Sequence, residues 1–334
     1  STANGLYAFR ADTGAVAWVY PTDMPLGHSP TVAGNTLYVG GYDRLIHAIE
    51  ANPDVAGLPT RDGVRINDRV RWTFAAGAGF ETNPLVVDGR LYAGNRDGVF
   101  YALDAVTGGL KWQYHTAGPI LFSAAYKDGV VYFASNDSHA YALDADDGTL
   151  VWRSTKLPGA GFHSYWPVVY RDWVILAGSN NYRVAGWHDP VLGSELQITS
   201  QERDELYPNH EMDPTGTLIG RAGTEPGDWA AGTVTIDTAT PTCTVNGCTW
   251  PTTDYLEAKP WRRTVFVLSR ATGEELTFDS DSDGRPDYAP FAWFGTHSGN
   301  RYPPVVGGDD VLYMANNFAS DPYIPRGHVV GWKL

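Results

Sequence analysis

The 334-residue chain is poor in cysteine, methionine and basic residues. It has 2 Cys and 3 Met, and its 24 Lys and Arg stand against 38 Asp and Glu, a formal net charge of −14 at pH 7. Nucleic-acid binding requires clustered basic side chains, so no nucleic-acid partner is expected. No apolar run reaches the roughly 18 residues of a membrane-spanning helix, so no transmembrane segment is predicted.

The two cysteines, Cys243 and Cys248, lie in the short stretch CTVNGC. Asn-Gly is typical of a tight hairpin turn, because both residues tolerate positive φ angles. Two cysteines that face each other across such a turn are predicted to form a small disulfide. The alternative is a pair of free thiols. A disulfide favours an oxidising compartment.

Glycine, proline and aromatic residues are plentiful, with 37 Gly, 22 Pro, 12 Trp, 19 Tyr and 12 Phe. The glycines and aromatic residues recur in a repeated segment. It reads GLYAFRADTGAVAWVY at 5–20, VFYALDAVTGGLKWQY at 99–114 and HAYALDADDGTLVWRS at 139–154. Trp72, Trp112 and Trp152 follow one another at intervals of 40 residues, whereas Trp18 precedes Trp72 by 54. The first interval therefore contains an insertion near 52–65.

Each repeat predicts four short strands bounded by Gly, Asp or Asn turns. We name them A for the PxVxxG segment, B for LYxG, C for YALD and D for LxW. A period near 40 residues with four strands per unit is typical of a β-propeller blade. An isolated sheet exposes both faces, so blades must stack, and the repeated Trp is predicted to pack between neighbouring blades.

The segments LYALDAxTGxxxW and PxVxxGxLYxGxxDG resemble the pyrroloquinoline-quinone (PQQ)-like propeller repeat. The resemblance is strong over 1–182, fades over 183–263 and returns over 264–334. It implies an all-β β-propeller of four-stranded blades. The family includes quinoprotein dehydrogenases, and it also includes non-enzymatic members such as the propeller lipoprotein of the outer-membrane barrel-assembly machinery.

We expect one propeller domain over 1–334, with about six to seven blades represented. The N-terminal end of the sequence supplies strands C and D, and the C-terminal end supplies strands A, B and C. We therefore expect the sequence to be a fragment of a longer propeller ring. Segment 194–263 breaks the repeat and is interpreted as an insertion or a diverged blade. Long insertions of this kind often carry binding loops.

The stretch DSDSDGRPD, residues 279–287, has the ligand spacing of a calcium loop and resembles thrombospondin type 3 and dockerin repeats. Calcium prefers six to eight oxygen ligands, and Gly284 permits the sharp turn between them. The predicted ligands are the side chains of Asp279, Asp281, Asp283 and Asp287 and the backbone carbonyl of Arg285. The alternative is a solvated acidic turn. The predicted calcium is structural.

The loops between strand D and the next strand A are expected to meet at the channel mouth. They bring together candidate ligand-binding residues: His28, Glu81, Thr82, His163, Tyr165, His297 and Arg301. The alternative is that a wet channel mouth is simply polar. Catalytic residues are not assigned.

The quinoprotein dehydrogenases that the repeat resembles commonly hold the quinone between a Trp and a disulfide of two adjacent Cys. This sequence has no adjacent Cys pair and no Cys-x-x-Cys-His haem motif, so the resemblance does not imply PQQ as a cofactor here. The preferred hypothesis is a non-catalytic bacterial propeller, extracellular, on the cell surface or periplasmic, that acts as a calcium-stabilised binding or assembly platform for a protein or glycan partner. One alternative is a PQQ-dependent dehydrogenase or a degenerate relative. The other is a propeller hydrolase or lyase that uses the channel-mouth His residues.

Overall fold

The structure, a computed structural model, describes most of the repeats and parts of the remaining chain. The described residues are 5–22, 24–27, 29–55, 69–157, 162, 166–178, 234–237, 242–245, 248–251, 265–279, 284–288, 305–316 and 328–334. Of 234–237, 242–245, 248–251, 314–316, 328–330 and 332 only the backbone is described. Throughout this part of the chain the regular structure is strand, and no helix is long and apolar enough to cross a membrane.

The described residues fall into two compact units. The first holds the residues up to Ala124 together with the turn 145–148, and the second holds the others. Strands of the first unit are β1 Gly5–Phe9, β2 Val16–Pro21, β3 Thr31–Ala33, β4 Thr36–Gly40, β5 Leu45–Glu50, β6 Val70–Ala75, β7 Leu85–Val87, β8 Arg90–Gly94, β9 Val99–Asp104 and β10 Leu110–His115. Strands of the second unit are β11 Ala125–Lys127, β12 Val130–Ala134, β13 Ala140–Asp144, β14 Leu150–Arg153, β15 Val168–Tyr170, β16 Trp173–Ala177, β17 Val234–Asp237, β18 Thr242–Val245, β19 Cys248–Pro251, β20 Val265–Ser269, β21 Val305–Val306, β22 Val311–Asn316 and β23 His328–Lys333.

The predicted A–B–C–D sheets are present. β3–β4–β5–β6, β7–β8–β9–β10 and β11–β12–β13–β14 are four-stranded and antiparallel, in the order of the sequence. β1–β2 supplies a C–D pair, and β15–β16–β20 and β21–β22–β23 supply three strands each. The chain is therefore an all-β protein of the β-propeller class, built from four-stranded blades.

Segment 178–264 joins two neighbouring strands of one sheet. β16 pairs with β20 along its whole length, from Trp173 opposite Ser269 to Ala177 opposite Val265. Within the segment, β17, β18 and β19 form a separate three-stranded antiparallel sheet. That residues 1–334 form a single propeller domain stays a prediction.

The core lies between the sheets rather than inside any one of them. Tyr38, Ile46 and Trp72 of one blade pack with buried Leu91 and Leu103 of the next in a single cluster. A four-stranded sheet has two faces to bury, so blades that stack bury both of them.

The repeated Trp contacts a glycine turn of the following repeat, which confirms the predicted position between blades. A Cβ added to Gly108 would lie 2.6 Å from the Trp72 ring, and one added to Gly148 would lie 2.7 Å from the Trp112 ring. The indole N–H of Trp72 donates to the Ala105 carbonyl at 3.1 Å, within the same turn. In the second unit, Trp152 and the turn at Gly273 repeat this arrangement.

In the second blade the insertion lengthens the connection after β5, and the side chain of Arg69 lies on the Trp18 ring. The Trp18 indole N–H still donates to a backbone carbonyl, that of Ala51, at 3.0 Å. The Arg69 guanidinium lies 5.1 Å from the centre of the Trp18 ring and is 1% exposed. A cation over an indole face is attractive, and burial lowers the pKa of Arg69. The altered blade therefore keeps its Trp contact by a different chemistry.

We predict that Gly108→Ala destabilises the protein more than Gly89→Ala. Both glycines have φ +75°, so both substitutions carry the left-handed strain of about 1–2 kcal/mol. Only at Gly108 does the new methyl meet an indole ring, whereas the space around Gly89 is open among the described residues. We expect overpacking at Gly108 to add about 1–3 kcal/mol to the loss of unfolding free energy in urea. Equal losses would show that the Trp contact is not tightly packed.

Candidate functional site: the loop end of the first unit

The D-to-A loops of the first unit are tied together by a hydrogen-bonded ladder. The backbone N–H of Ser29 donates to Asn83 Oδ1 at 2.8 Å, and the backbone N–H of Asn83 donates to Ser123 Oγ at 2.9 Å. Ser29, Asn83 and Ser123 occupy corresponding positions in successive loops. Each loop is thus held by a side chain of the next.

Glu81 forms a buried ion pair below this ladder. Its carboxylate accepts a hydrogen bond from Arg96, and both side chains are only 2% exposed. The Tyr42 hydroxyl also donates to Glu81 Oε1, at 2.5 Å. Arg96 and Tyr42 belong to B–C turns of two neighbouring blades, so the carboxylate joins both turns to the loop that follows β6.

A second buried polar chain runs from β2 to the B–C turn before β5. The Tyr20 hydroxyl lies 2.9 Å from His47 Nδ1, and His47 Nε2 lies 2.9 Å from Asp43 Oδ2. A carboxylate only accepts, so His47 Nε2 donates its hydrogen to Asp43. Burial and the Asp43 charge raise the pKa of Tyr20 to about 12.

The neighbouring blade has a tyrosine where this blade has His47. Tyr101 donates to Asp97 at 3.1 Å, and the backbone N–H groups of Gly77 and Val99 also donate to the Asp97 carboxylate. Burial nevertheless raises the pKa of Asp97. In the second unit, Tyr141 donates to Asp137 at 2.5 Å. An Asp with a ring side chain four residues later is therefore a repeated anchor of the B–C turn.

Of the predicted channel-mouth residues, Glu81 and Thr82 are described. Thr82 is 1% exposed, and the Glu81 carboxylate faces Arg96 and Tyr42 rather than solvent. The others lie outside the described residues: His28, His163, Tyr165, His297 and Arg301. Their role in ligand binding stays a prediction.

Sequence reasoning did not single out Arg96, Tyr42, Tyr20, His47 or Asp43. A signal existed for two of them, because Asp43 and His47 have the same spacing as Asp97 and Tyr101. No comparable signal marks the partner of Glu81, because the turn position of Arg96 holds Tyr42 in the preceding blade and Asn136 in the second unit.

The predicted calcium loop is closed at its base by a backbone pair. Phe278 and Asp287 exchange hydrogen bonds of 2.9 and 2.6 Å, and the N–H of Gly284 donates to Asp279 Oδ1 at 3.3 Å. Gly284 has the positive φ expected of it, +81°. Arg285 is exposed and Asp287 is 8% exposed. Asp281 and Asp283 lie outside the described residues, so the predicted set of calcium ligands stays a prediction.

The strands on either side of Asn246-Gly247 pair antiparallel, with Val245 opposite Cys248, and the predicted turn residues themselves lie outside the described residues. Cys243 pairs with Trp250. The cysteines are therefore diagonal neighbours rather than directly opposite, a relation with a longer Cα separation than a direct pair. Their disulfide stays a prediction.

Residues 64–187 match the family described as outer membrane protein assembly factor BamB, whose repeats are PQQ-like. The match covers less than half of the chain and supports PQQ-like repeats in that part of it. No curated protein is a match for this sequence.

Several solved structures resemble the chain at low identity. BamB from Moraxella catarrhalis is 15% identical, with a TM-score of 0.42, over 100% of this chain and 84% of that one. The computationally designed Ika8 protein is 11% identical, with a TM-score of 0.45, over 94% and 76%. The WD40 β-propeller domain of Doa1 is 16% identical, with a TM-score of 0.39, over 49% and 51%. We draw no functional conclusion from these similarities.

We predict that Glu81→Gln and Arg96→Met each destabilise the protein by about 3–5 kcal/mol, because each leaves part of a buried ion pair without its partner. The double variant Glu81→Leu/Arg96→Met is expected to recover much of that loss. Leu121 already occupies the position of Glu81 in the next loop. Urea denaturation measures all three.

The control is Arg10→Met, which removes an ion pair to Asp54 whose two side chains are 45% and 67% exposed. An exposed pair contributes about 0–1 kcal/mol, so this variant is expected to remain close to the parent protein. If Arg96→Met were as mild as Arg10→Met, the buried pair would not hold the loop end together.

Proposed function

We propose that this chain is a non-catalytic β-propeller that serves as a binding or assembly platform for a protein partner outside the cytoplasm. The observation that carries the proposal is the loop end of the first unit. Its loops are tied by the Ser29–Asn83–Ser123 ladder and by the buried Glu81–Arg96 pair. Prearranged loops lose less conformational entropy when a partner binds, which favours recognition.

The family match supports the choice of an assembly platform. Residues 64–187 match a family described as an outer membrane protein assembly factor. A periplasmic or outer-membrane-associated location accords with that description. Fold alone does not assign function, so the proposal rests on the loop end together with the family match.

The test is site-specific photo-crosslinking of the whole protein in its native host. A photoreactive residue replaces Ala117, which is exposed in the loop after β10, or Val106, which is 79% exposed in the turn before β10. These positions lie at opposite ends of the same strand. We expect a discrete protein adduct from position 117 and none from position 106.

Two results would contradict the proposal. One is an equal yield of adducts from both positions, which would indicate random encounter. The other is tight one-to-one binding of pyrroloquinoline quinone to the calcium-loaded protein, with dye-linked oxidation of alcohols or sugars, which would make the chain a quinoprotein. An adduct to a glycan instead of a protein would still support a binding platform, but the partner would be a glycan.

We also propose that residues 279–287 bind a structural calcium ion. The described part of the loop supports this: the Phe278–Asp287 backbone pair brings the first and last carboxylates of the loop to its base, and Gly284 turns the chain back towards Asp279. Phe278 packs edge-on against Trp173 of β16, with ring centres 5.7 Å apart. Calcium would therefore brace a loop attached to the blade core.

We predict that chelation lowers the melting temperature and that Asp281→Asn/Asp283→Asn abolishes this effect, because hard calcium needs the carboxylate oxygens. Isothermal titration with calcium should give one site in the parent protein and none in the variant. The matched control, Asp146→Asn/Asp147→Asn, removes two carboxylates from an ordinary C–D turn and should leave calcium binding intact. If chelation left the melting temperature unchanged, the loop would be a solvated acidic turn that binds no structural calcium.

A further inference from the structure

Arg44 holds a left-handed backbone conformation in the B–C turn before β5, at the loop end of the first unit. Its φ is +69°, and its carbonyl accepts a hydrogen bond from the Ala76 N–H at 3.0 Å. The corresponding residues of two other blades are Gly98 and Ser138, with φ +80° and +71°. This region disfavours a long side chain and suits glycine. A long side chain kept at such a position is a reason to look for a functional role.

The Arg44 guanidinium has no hydrogen bond or ion pair among the described residues. The residue is partly buried, and its Nε is enclosed without a hydrogen-bond partner, whereas its terminal nitrogens reach solvent. Other arginines of the first unit have carboxylate partners: Arg10, Arg71, Arg90 and Arg96. A charge that is partly removed from water and lacks a partner is unfavourable, so Arg44 is costly to the chain in both backbone and charge.

The described carboxylates at the loop end of the first unit already face other groups. They form three pairs: Glu81 with Arg96, Asp43 with His47, and Asp97 with Tyr101. Asp43 directly precedes Arg44, yet its second oxygen accepts from the backbone N–H of Leu45 at 3.1 Å. Arg44 therefore offers a guanidinium that the described part of this chain does not satisfy.

We propose that Arg44 anchors an Asp or Glu side chain of the protein partner that binds this loop end. A guanidinium presents a planar set of N–H donors that matches a carboxylate, and arginine is enriched among the residues that dominate interfaces. The inference rests on the proposed function and adds the chemistry of the partner. Bound to a partner carboxylate, Arg44 gains the counter-charge that the described loop end does not supply.

The test repeats the photo-crosslinking of the whole protein from position 117 and adds position 75, because Ala75 is exposed at the end of β6, beside Ala76. We expect Arg44→Met to lower the yield of the protein adduct about tenfold at both positions. Arg44→Lys should lower it less, since lysine keeps the charge without the planar donors. The matched control, Arg10→Met, removes one positive charge from the C–D turn after β1 and should leave the yield unchanged.

The crosslinked peptide of the partner is expected to contain the acidic residue. Replacing that residue by Ala should lower the yield in the parent protein and cause no further loss in Arg44→Met, because the two changes remove the same interaction. A partner peptide without Asp or Glu would overturn the proposal.

Melting temperatures separate a partner anchor from an ion pair within the chain. Asp23 is the carboxylate of the preceding D-to-A loop, and it lies outside the described residues. If Asp23 paired with Arg44 to stabilise the fold, Arg44→Met and Asp23→Asn would each lower the melting temperature. We expect both variants to stay within about 2 °C of the parent protein. Arg44→Gly should be no less stable than the parent, because glycine relieves the left-handed backbone.

The outcomes distinguish this inference from the proposed function. An adduct at position 117 that persists in Arg44→Met would overturn the inference alone, as would a clear loss of stability in both Arg44→Met and Asp23→Asn. The absence of any adduct at position 117 in the parent protein would contradict the proposed function, and the inference with it.

Discussion

The contact between a strand-D tryptophan and a left-handed glycine in the next C–D turn is the constraint on which the rest of the structure depends. A side chain at Gly108, Gly148 or Gly273 would overlap the indole ring. The indole N–H satisfies a carbonyl of the same turn, so packing and hydrogen bonding are met together. A single blade cannot bury both of its faces. This contact lets successive blades stack, so that their apolar faces are buried against one another.

The informative places are those where a blade departs from the repeat. The guanidinium of Arg69 covers Trp18, whereas the corresponding Trp rings in other blades meet the turn glycines Gly108, Gly148 and Gly273. His47 replaces a tyrosine and links Tyr20 to Asp43. Glu81 and Arg96 place an ion pair in a nearly dry environment. A buried ion pair is weak support for stability as such, because desolvation opposes the Coulomb attraction. Its more direct consequence is geometric, since it holds a loop and two turns in one arrangement.

Much of the fold was predictable because it follows from local periodicity. Strands A to D, their Asp-Gly turns and the Trp between blades are all visible as a 40-residue repeat. The site was less predictable. Glu81 was recognised by its position in a loop, yet its carboxylate turns inward to Arg96, fifteen residues away and in another turn. Sequence position places a residue at one end of a blade, whereas the direction of its side chain depends on neighbours that belong to another blade.

The sequence by itself determined the strand order, the blade period and the spacing of carboxylates in 279–287, because each depends on residues close together in the chain. Only the tertiary structure decided that β16 pairs with β20 across segment 178–264, that Arg69 lies on Trp18, and that the C strand of the first blade exposes Tyr7 and Phe9. These features arise where one sheet meets another or where distant strands pair. Contacts of that kind depend on how surfaces pack together. The order of residues along the chain does not show which surface stays exposed to solvent.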